Sequence, residues 1–409
     1  MAAAAFVTMC VVTLSVAPQS AEPDDGAYRA SIVAITEGHF LTLSTAQAQA
    51  LASRLDDNPA APPNQWVQVA PGRYMSEKNP GYPFLAAAFE KLGIIRWAPL
   101  SFGALACLGL FVGARRWLGP FGGTAAVGLY CSSGAALAFG WRDYMPTFTD
   151  ASLAAAGSGL LLWTLLATEA GPRLRTWVGL AGFLSLEAAT FVRYTNLVIL
   201  CCAVVTVLLA WRLRAVTLPH RALRWWLSSV VAFGLGVAVF DTVAYGGPLT
   251  TGYHPGEVTF ALRAIGPNVH QMPRHLLQAM PMLLFGAVSM LWIVIRWVSL
   301  RRASGPPAAA AHRDLCVGLA LAATWLAIWA LYATYTWTTD PTNVTVQLVR
   351  FYLPALGPIA ILGAWLVTRI PGRAWVTGLI TVAAITLLFA QGTQAFHAMY
   401  AAFDVPLNG

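Results

Sequence analysis

From residue 194 to residue 211 the chain reads YTNLVILCCAVVTVLLAW, a window without a charged side chain. An α-helix needs about 20 mostly apolar residues to cross a hydrocarbon core about 30 Å thick. Working outward from this window, we find eleven candidate spans in the 409 residues. They lie near 2–17, 97–113, 120–140, 146–168, 176–191, 194–211, 225–244, 276–297, 315–336, 351–368 and 374–392. The sequence therefore predicts an all-α polytopic membrane protein with about eleven transmembrane helices, in a single domain over residues 1–409.

The composition supports the same fold class. With 57% apolar and 10% charged residues and a mean hydropathy of +0.62, a water-soluble globule would expose large apolar patches. The window 2–17 is short, and no lysine or arginine precedes it. That favours an anchoring span over a secretory signal peptide, which normally has a positive N-terminal region, but both alternatives stay open. A start codon assigned too late would also explain a short first span.

The basic residues predict the orientation, because cytoplasmic loops of membrane proteins carry an excess of arginine and lysine. Five short loops hold Arg115, Arg116, Arg173, Arg175, Arg212, Arg214, Arg221, Arg224, Arg296, Arg301, Arg302, Arg313, Arg369 and Arg373. Most acidic residues fall on the opposite side, so the long loops are expected to be extracytoplasmic. Arginine-rich and alanine-rich usage suggests a bacterium with a GC-rich genome, and hence the inner (plasma) membrane. The net charge of +8 reflects these loop arginines, so nucleic-acid binding is not indicated.

Three longer polar segments form the predicted outer face: a first extracytoplasmic loop over 19–91, and further outer loops over 245–275 and 337–350. Within the first loop, the one-sided apolar patterns of 26–37 and 46–55 predict two interfacial helices. A tract rich in proline and asparagine at 58–64 separates them from the following segment.

Asp24 and Asp25 follow the first window by a few residues. Two adjacent carboxylates near a membrane surface repel each other, which raises one pKa or demands a cation, and either outcome suits a general base or a metal ligand. The structural alternative is that they cap the helix over 26–37.

Lys78 is one of two lysines in the chain and follows Glu77. The next residues, Asn79-Pro80-Gly81-Tyr82, are predicted to halt any helix and fix the local path. A phosphate about 4 Å from a lysine gains about 4 kcal/mol at an effective dielectric near 20, enough to matter for binding and for a leaving group. A snorkelling lysine paired with its neighbour is the alternative.

Further candidates lie at the predicted outer ends of spans. Asp150 begins an apolar run, where an unpaired carboxylate is costly, whereas Asp143 is expected to be solvated. Arg193 and Arg350 adjoin spans and are candidates for phosphate contact, specific or nonspecific. His254 is a candidate metal ligand, although a lone histidine is more often structural.

In their order along the chain, these features resemble the GT-C superfamily of glycosyltransferases that use polyprenyl-phosphate sugars, especially its protein O-mannosyltransferase and lipid A aminoarabinose transferase branch. The resemblance is carried by Pro23-Asp24-Asp25-Gly26-Ala27-Tyr28, Glu77-Lys78-Asn79-Pro80, Gly246-Gly-Pro-Leu-Thr-Thr-Gly-Tyr253 and Arg350-Phe-Tyr-Leu-Pro-Ala-Leu-Gly-Pro358. It covers most of the chain, and no single motif is decisive. An arginine that often precedes the tyrosine in aminoarabinose transferases is absent, since Gly26 or Ala27 stands there.

The resemblance implies an inverting transfer of a sugar from a polyprenyl-phosphate donor to an acceptor hydroxyl on the extracytoplasmic face. Asp24 would be the general base, with Asp25 and Asp150 as further catalytic acidic residues. It also implies that Lys78 meets the donor phosphate.

Since the expected helix arginine is missing, Arg193 and Arg350 become substitutes for phosphate contact. Glu77 and His254 would hold a divalent metal ion. The expected partners are the donor, membrane lipids and an acceptor that the sequence does not identify.

Two other function classes compete with this hypothesis. A lipid or polymer transporter or flippase would need polar residues at mid-span, where the sequence places only Glu187 and Asp241 well inside, expected to face the bundle interior. A noncatalytic membrane scaffold would tolerate substitution of Lys78 or Asp24.

Overall fold

The structure, a computed structural model, describes residues 1–16, 23–40, 42–55, 58, 60–214, 216, 218–253, 256, 258–302 and 305–402, and the structural statements below concern these residues. Its helices are α1 (Ala2–Leu14), α2 (Pro23–Thr36), α3 (Thr45–Arg54), α4 (Gly81–Lys91), α5 (Trp97–Cys131), α6 (Gly134–Gly140), α7 (Thr147–Leu166), α8 (Pro172–Val192), α9 (Leu197–Arg212), α10 (His220–Tyr245), α11 (Ile265–Ala279), α12 (Leu283–Leu300), α13 (Pro306–Ala333), α14 (Thr345–Val349), α15 (Leu356–Val367) and α16 (Ala374–Ala401). Three short strands, β1 (Leu43–Ser44), β2 (Trp66–Ala70) and β3 (Arg73–Ser76), form one antiparallel sheet in the order β1-β3-β2.

Helices long and apolar enough to cross a membrane dominate the described part of the chain. Seven qualify by length and composition, namely those that contain α5, α7, α9, α10, α12, α13 and α16, and α1 and α15 are shorter apolar helices. On α10, Val231, Leu235, Val239 and Val243 form an exposed stripe at every fourth position, as expected for a face in lipid. The predicted all-α polytopic membrane class is confirmed.

Two predicted windows are divided by breaks between helices. The window 120–140 is interrupted after Cys131, where α16 packs closely: a side chain on Gly392 would lie 2.4 Å from the carbonyl oxygen of Ser132. The window 276–297 starts inside α11, and a new helix begins only at Leu283. Pro281 accounts for that break, because a residue that precedes proline is disfavoured in the helical region, and Met280 has φ −140° and ψ 61°.

The segment 23–91 builds a small layer on the bundle. The two predicted interfacial helices are observed as α2 and α3, and Ser44 and Gln47 form a capping box at the start of α3. The sheet was not predicted; it packs with these helices around Ala30, Leu43 and Leu51. Our expectation that residues 79–82 halt a helix is wrong in one respect, since α4 begins at Gly81. Pro80 is compatible with this helix start, because the first N–H groups of a helix have no partner within the helix and the missing N–H of proline is therefore not lost.

The bundle centre is packed through small residues. A side chain on Gly109 would lie 2.6 Å from the carbonyl oxygen of Ala156, and one on Gly113 would lie 2.3 Å from that of Gly159. Small residues at four-residue spacing let helix backbones approach closely where hydrocarbon gives no solvent-driven attraction. The resulting contact fixes α7 against α5 and so positions the first turn of α7.

We call the end of the bundle at which α7, α9 and α12 end the arginine-rich end, and the opposite end the site end. At the arginine-rich end, buried Asp314 accepts from Arg296 (2.8 Å), Arg369 (3.2 Å) and the indole of Trp117 (3.0 Å). This network ties α5, α12 and α13 to the segment that follows α15.

The two acidic residues predicted inside spans are buried and hydrogen-bonded, as expected. Glu187 accepts from the hydroxyl of Ser229 at 2.9 Å, and Asp241 accepts from the hydroxyl of Tyr194 at 3.0 Å.

Candidate functional site

Three charged residues from distant parts of the chain meet at the site end. Lys78 Nζ lies 3.1 Å from Asp24 Oδ1, and Arg350 Nη1 lies 3.0 Å from Asp24 Oδ2. Gln65 Nε2 donates to Asp24 Oδ1 at 3.0 Å. We call Asp24, Lys78 and Arg350 the ion cluster. The carboxylate of Asp24 therefore lies between two cations that are remote in sequence: Lys78 is 54 residues away and Arg350 is 326 residues away.

The ion cluster is largely shielded from solvent by aromatic rings. The side chain of Lys78 is 7% exposed and that of Asp24 is 21% exposed. The ammonium of Lys78 lies 4.9 Å from the ring centre of Tyr253, and the guanidinium of Arg350 lies over Trp337 (5.1 Å). These faces stabilise cations, and partial burial strengthens the charge interactions.

The charges set the protonation states within the ion cluster. Burial alone would raise the pKa of Asp24, but Arg350, Lys78 and the hydrogen bond from Gln65 outweigh it and hold that pKa well below its usual range. Burial alone would lower the pKa of Lys78, but Tyr253, Asp24 and Glu77 more than offset it and raise that pKa above its ordinary value. Asp24 is thus a firmly ionised, weakly basic carboxylate while both cations hold it.

Local structure places each member. Asp24 lies in the first turn of α2, where a carboxylate also complements the helix dipole. Lys78 follows the end of β3, and its backbone N–H donates to Ser76 Oγ at 3.2 Å. Tyr245 at the end of α10 donates to the carbonyl oxygen of Ser76 at 3.0 Å. The strand end that carries Lys78 is therefore held from two sides.

A close backbone approach joins the outer segment 245–253 to this strand end. A side chain on Gly252 would lie 2.3 Å from the Cα atom of Glu77. A larger residue there would have to displace main chain, so glycine is required by space at this position. This approach places Tyr253 over Lys78.

Asp25 has its own cation. Its carboxylate forms a buried ion pair with Arg142, and its side chain is 4% exposed. Of the two outcomes expected for adjacent carboxylates, the structure shows the demand for a cation: Asp25 pairs with Arg142, and Asp24 pairs with Lys78 and Arg350. Successive positions on α2 direct the two side chains to these different partners. The other outcome, a raised pKa, is not found at Asp24, where the pKa is lowered.

Asp143, next to Arg142, is buried, which corrects the expectation that it is solvated. It is 7% exposed, and its carbonyl oxygen accepts the hydroxyl of Tyr82. Burial, together with Asp25 and Glu90 and against the effect of Arg96, raises the pKa of the Asp143 carboxyl to about 7.

Asp150 and Arg193 form a second pair beside the ion cluster. Arg193 Nε lies 3.3 Å from Asp150 Oδ2, and Asn196 Nδ2 donates to the same oxygen at 3.1 Å. Arg193 also donates to the carbonyl oxygen of Arg350 at 2.9 Å and to Thr147 Oγ1 at 2.8 Å. This pair holds the backbone that carries Arg350, so it positions the ion cluster.

The predicted metal ligands lack a metal donor set in the described residues. Glu77 Oε1 lies 3.0 Å from Lys78 Nζ, so the ammonium lies between the carboxylates of Glu77 and Asp24. No group of three or more histidine, cysteine, aspartate or glutamate side chains that could hold a metal ion occurs in the described part of the chain. His254 lies outside the described residues. The donors that are described therefore do not fit a divalent ion.

Several residues at the site were missed by sequence reasoning. Gln65 has φ 59° and follows the proline-rich tract, and no sequence pattern indicated that its amide would reach Asp24. Arg142 adjoins an apolar run, where an unpaired charge is costly, so a carboxylate partner could have been expected. Tyr253 and Trp337 lie in the quoted outer segments but are not distinguished there by spacing.

Comparison with known proteins identifies solved structures with a similar fold. No protein-family model matches the sequence, and no curated protein matches it. Among solved structures, apo oligosaccharyltransferase from Archaeoglobus fulgidus matches with a TM-score of 0.60 and 10% identity, over 97% of this chain and 56% of that chain. ArnT from Cupriavidus metallidurans matches in the apo state (TM-score 0.54, 15% identity, 97% of this chain and 74% of that chain) and bound to undecaprenyl phosphate (0.53, 14%, 98% and 74%).

These similarities concern nearly the whole chain, which spans just over half the length of the oligosaccharyltransferase and about three quarters of ArnT. At such low identity they show the fold. The fold is similar to that of these two proteins, in line with the fold that the outer-face motifs implied, and the described chain is a multi-span membrane protein.

Proposed function

We propose that this protein is a membrane glycosyltransferase that transfers a sugar from a polyprenyl-phosphate donor to an acceptor hydroxyl on the extracytoplasmic face. The ion cluster is the observation that carries the proposal. Two buried cations and one carboxylate meet at the end of an apolar bundle, where a lipid-linked phosphate and its sugar would lie together. The loop arginines at the opposite end support an extracytoplasmic location, since such residues remain in the cytoplasm.

The mechanism follows from the charges. A donor phosphate that binds Lys78 and Arg350 competes with Asp24 for the same two cations. As these contacts pass to the phosphate, the pKa of Asp24 rises toward its ordinary range and the carboxylate gains base strength. Donor binding would thus activate the base.

In the transfer step, Asp24 takes the proton of the acceptor hydroxyl. The hydroxyl oxygen forms a bond to the anomeric carbon, and the bond from that carbon to the phosphate oxygen breaks on the opposite side, with inversion. The lipid phosphate leaves with additional negative charge, which Lys78 and Arg350 stabilise. Asp150 and Arg193 position Arg350 in this scheme, and Asp25 anchors α2 through Arg142.

The similar structures support the donor and acceptor classes. One ArnT structure is bound to undecaprenyl phosphate, and one oligosaccharyltransferase structure is tethered to an acceptor peptide. Because the present chain shares their fold, a polyprenyl phosphate is a reasonable donor carrier.

The described residues around Lys78 do not offer a donor set for a metal ion. One similar oligosaccharyltransferase structure is a complex with Zn and sulfate, but the ammonium of Lys78 lies where an ion between Asp24 and Glu77 would lie. We therefore derive no step through a metal, and the role implied for Glu77 here is to hold Lys78 (3.0 Å).

The test compares transfer from a synthetic polyprenyl-phosphate sugar by the purified protein and by Asp24→Asn at matched amounts. Loss of a general base is expected to lower turnover about 10²–10⁴-fold. Asp340→Asn is the matched control, since it makes the same change at an exposed aspartate of the 337–350 segment and should leave turnover unaltered. Equal turnover in wild type and Asp24→Asn would remove Asp24 as the base.

The transporter alternative has a separate outcome in the same system. Passage of intact donor across a vesicle membrane without formation of a glycosidic bond would support it. The hydrogen-bonded states of Glu187 and Asp241 do not favour it.

A further inference from the structure

A cavity of about 720 Å³ lies among α7, α9 and α13, largely on the side of the bundle away from the ion cluster. Its wall is mostly apolar and includes Leu161 and Leu165 of α7, Val207 and Ala210 of α9, and Leu321 of α13. Asp24, Lys78 and Arg350 are not among its lining residues. The proposed transfer reaction therefore does not use it.

The cavity has the length of a lipid chain. It follows α9 from Ile199 and reaches Leu213, the residue after the helix end; the fourteen helical rises between them amount to about 21 Å. Half of a hydrocarbon core is about 15 Å, so a chain that lies in the cavity would cross one leaflet and reach past the bilayer midplane.

The site end of the cavity is closed. Thr195 and Tyr332 share a hydrogen bond of 2.6 Å between their hydroxyl oxygens, which joins the turn before α9 to the end of α13. The ring of Tyr332 packs on Phe351, with 5.0 Å between ring centres, next to Arg350. A donor tail held at Arg350 would have to break these contacts to enter from the site end.

The mouth at the arginine-rich end is basic. Arg116, His312 and Arg313 line it, and no acidic residue occurs among the described residues that line the cavity. Arg116 forms an ion pair with Glu169, just outside the lining. Arg313 and His312 are exposed. The charge at the mouth thus complements an anion, while the wall behind it suits hydrocarbon.

We propose that this cavity binds one membrane phospholipid with an anionic headgroup. One acyl chain lies along α9, and the headgroup phosphate contacts Arg313 and Arg116. A peptide segment would fit less well, because its backbone donors and acceptors would lack partners along the apolar wall.

Native mass spectrometry of the full-length protein in a neutral detergent tests the proposal, with phosphatidylglycerol and phosphatidylcholine of identical chains as probes. Wild type is expected to retain one phosphatidylglycerol and to bind phosphatidylcholine more weakly. Arg313→Gln should weaken phosphatidylglycerol binding about fivefold, the usual effect of one basic residue near an anionic lipid surface. Ala203→Leu, which narrows the cavity, should weaken both lipids.

Two matched variants serve as controls. Arg224→Gln removes an exposed arginine at the same end, and Ala232→Leu enlarges an exposed alanine on α10; neither residue lines the cavity, and neither change should alter binding. Equal affinity for the two lipids, or an unchanged affinity in Arg313→Gln, would overturn headgroup recognition. Unchanged binding in Ala203→Leu would overturn the position in the cavity.

If Ala203→Leu fails to fold, wild type provides a local measurement. Cys316 lines the cavity, whereas Cys201 is exposed elsewhere on the bundle. Phosphatidylglycerol should slow maleimide alkylation of Cys316 relative to Cys201, and equal protection of both thiols would contradict the site. No donor sugar is used, so this outcome is independent of the transferase proposal.

Discussion

At the scale of single residues, the ion cluster holds a carboxylate in a state in which it is a poor base. Asp24 accepts from Lys78, Arg350 and Gln65 at 3.0–3.1 Å, so its proton affinity is low until another anion takes over the cations. A base of this kind acts only when the donor is bound, which would limit unproductive hydrolysis of the lipid-linked sugar.

The Asp150–Arg193 pair gives a prediction on stability. Asp150 is fully buried and Arg193 is 13% exposed, so Asp150→Asn leaves a buried cation without its counterion. Loss of one partner of a buried pair costs about 3–5 kcal/mol, measured by thermal or denaturant unfolding in detergent. Glu37→Gln is the control, because its ion pair with Arg54 is exposed and such pairs contribute about 0–1 kcal/mol.

A cost in Asp150→Asn no larger than that in Glu37→Gln would contradict the positioning role. Lost turnover with unaltered stability would instead favour the direct catalytic role that the family resemblance implies.

Asp143 predicts a pH dependence of stability. Its pKa of about 7 in the fold exceeds the ordinary value of about 4, so the unfolded chain releases this proton first as pH rises. The folded state therefore loses stability between about pH 4 and pH 7. Asp143→Asn should melt a few degrees higher than wild type at pH 8 and only slightly higher at pH 4.5, while Tyr82 keeps its acceptor because that is a backbone carbonyl.

Asp340→Asn is the control in the same titration. The hydrogen bonds from Thr342 lower the pKa of Asp340, so its contribution has the opposite sign and no gain at pH 8 is expected. A gain in Asp143→Asn that is the same at both pH values would exclude the titration of this carboxyl as its cause.

Sequence reasoning reached the charged members of the site but not their partners. Asp24, Lys78 and Arg350 stand out because charges are rare in this chain and costly near hydrocarbon. Which cation meets which carboxylate depends on how α2, β3 and the segment after α14 converge, and that is a tertiary property. Gln65 could not be found, since a polar residue in a loop carries no periodic pattern.

At the scale of elements, the strand end that carries Glu77 and Lys78 depends on the glycine that packs against it. Gly252→Ala would place a methyl group 2.3 Å from the Cα atom of Glu77, so main chain must move and Lys78 with it. We expect donor binding to weaken at least about tenfold, which corresponds to only about 1.4 kcal/mol. Equilibrium binding of a polyprenyl phosphate measures this.

The control for this variant is Gly234→Ala on α10, where a methyl group would meet no atom within 4 Å. Replacing a helical glycine by alanine there should stabilise the protein by up to about 1 kcal/mol and leave binding unchanged. Tight binding by Gly252→Ala would show that Lys78 does not depend on this contact.

The spans and interfacial helices were predictable because apolar length and periodicity are local properties. Their breaks were not. The interruption after Cys131 lies where α16, which is remote in sequence, packs against the chain, whereas the one at Pro281 was available from the sequence through the restriction on residues before proline. The sheet was missed because strands as short as β1 and β3 carry little alternation.

At the scale of the whole molecule, two polar layers close an apolar bundle. Asp314 and its three donors tie the helices together at the arginine-rich end, and the ion cluster joins α2, the β3 loop and Arg350 at the site end. In the first layer, the buried carboxylate of Asp314 accepts hydrogen bonds from three side chains of the protein. In the second, the carboxylate of Asp24 is 21% exposed while Lys78 and Arg350 are 7% and 11% exposed, so an external anion would meet these cations by displacing Asp24.

This asymmetry predicts that a polyprenyl phosphate stabilises the whole protein. A ligand that binds only the folded state adds about 2.7 kcal/mol at a concentration 100 times its Kd, so thermal unfolding should shift upward with added polyprenyl phosphate. The same polyprenol without phosphate should give a much smaller shift. Lys78→Ala should lose most of the phosphate-dependent part, whereas Lys91→Ala, at the other and exposed lysine, should keep it. The phosphate-dependent increment is compared within each variant, because removal of Lys78 also alters the resting stability of Asp24 and Glu77. Equal increments in the two lysine variants would mean that the phosphate binds elsewhere, and the ion cluster would then be a structural closure of the bundle.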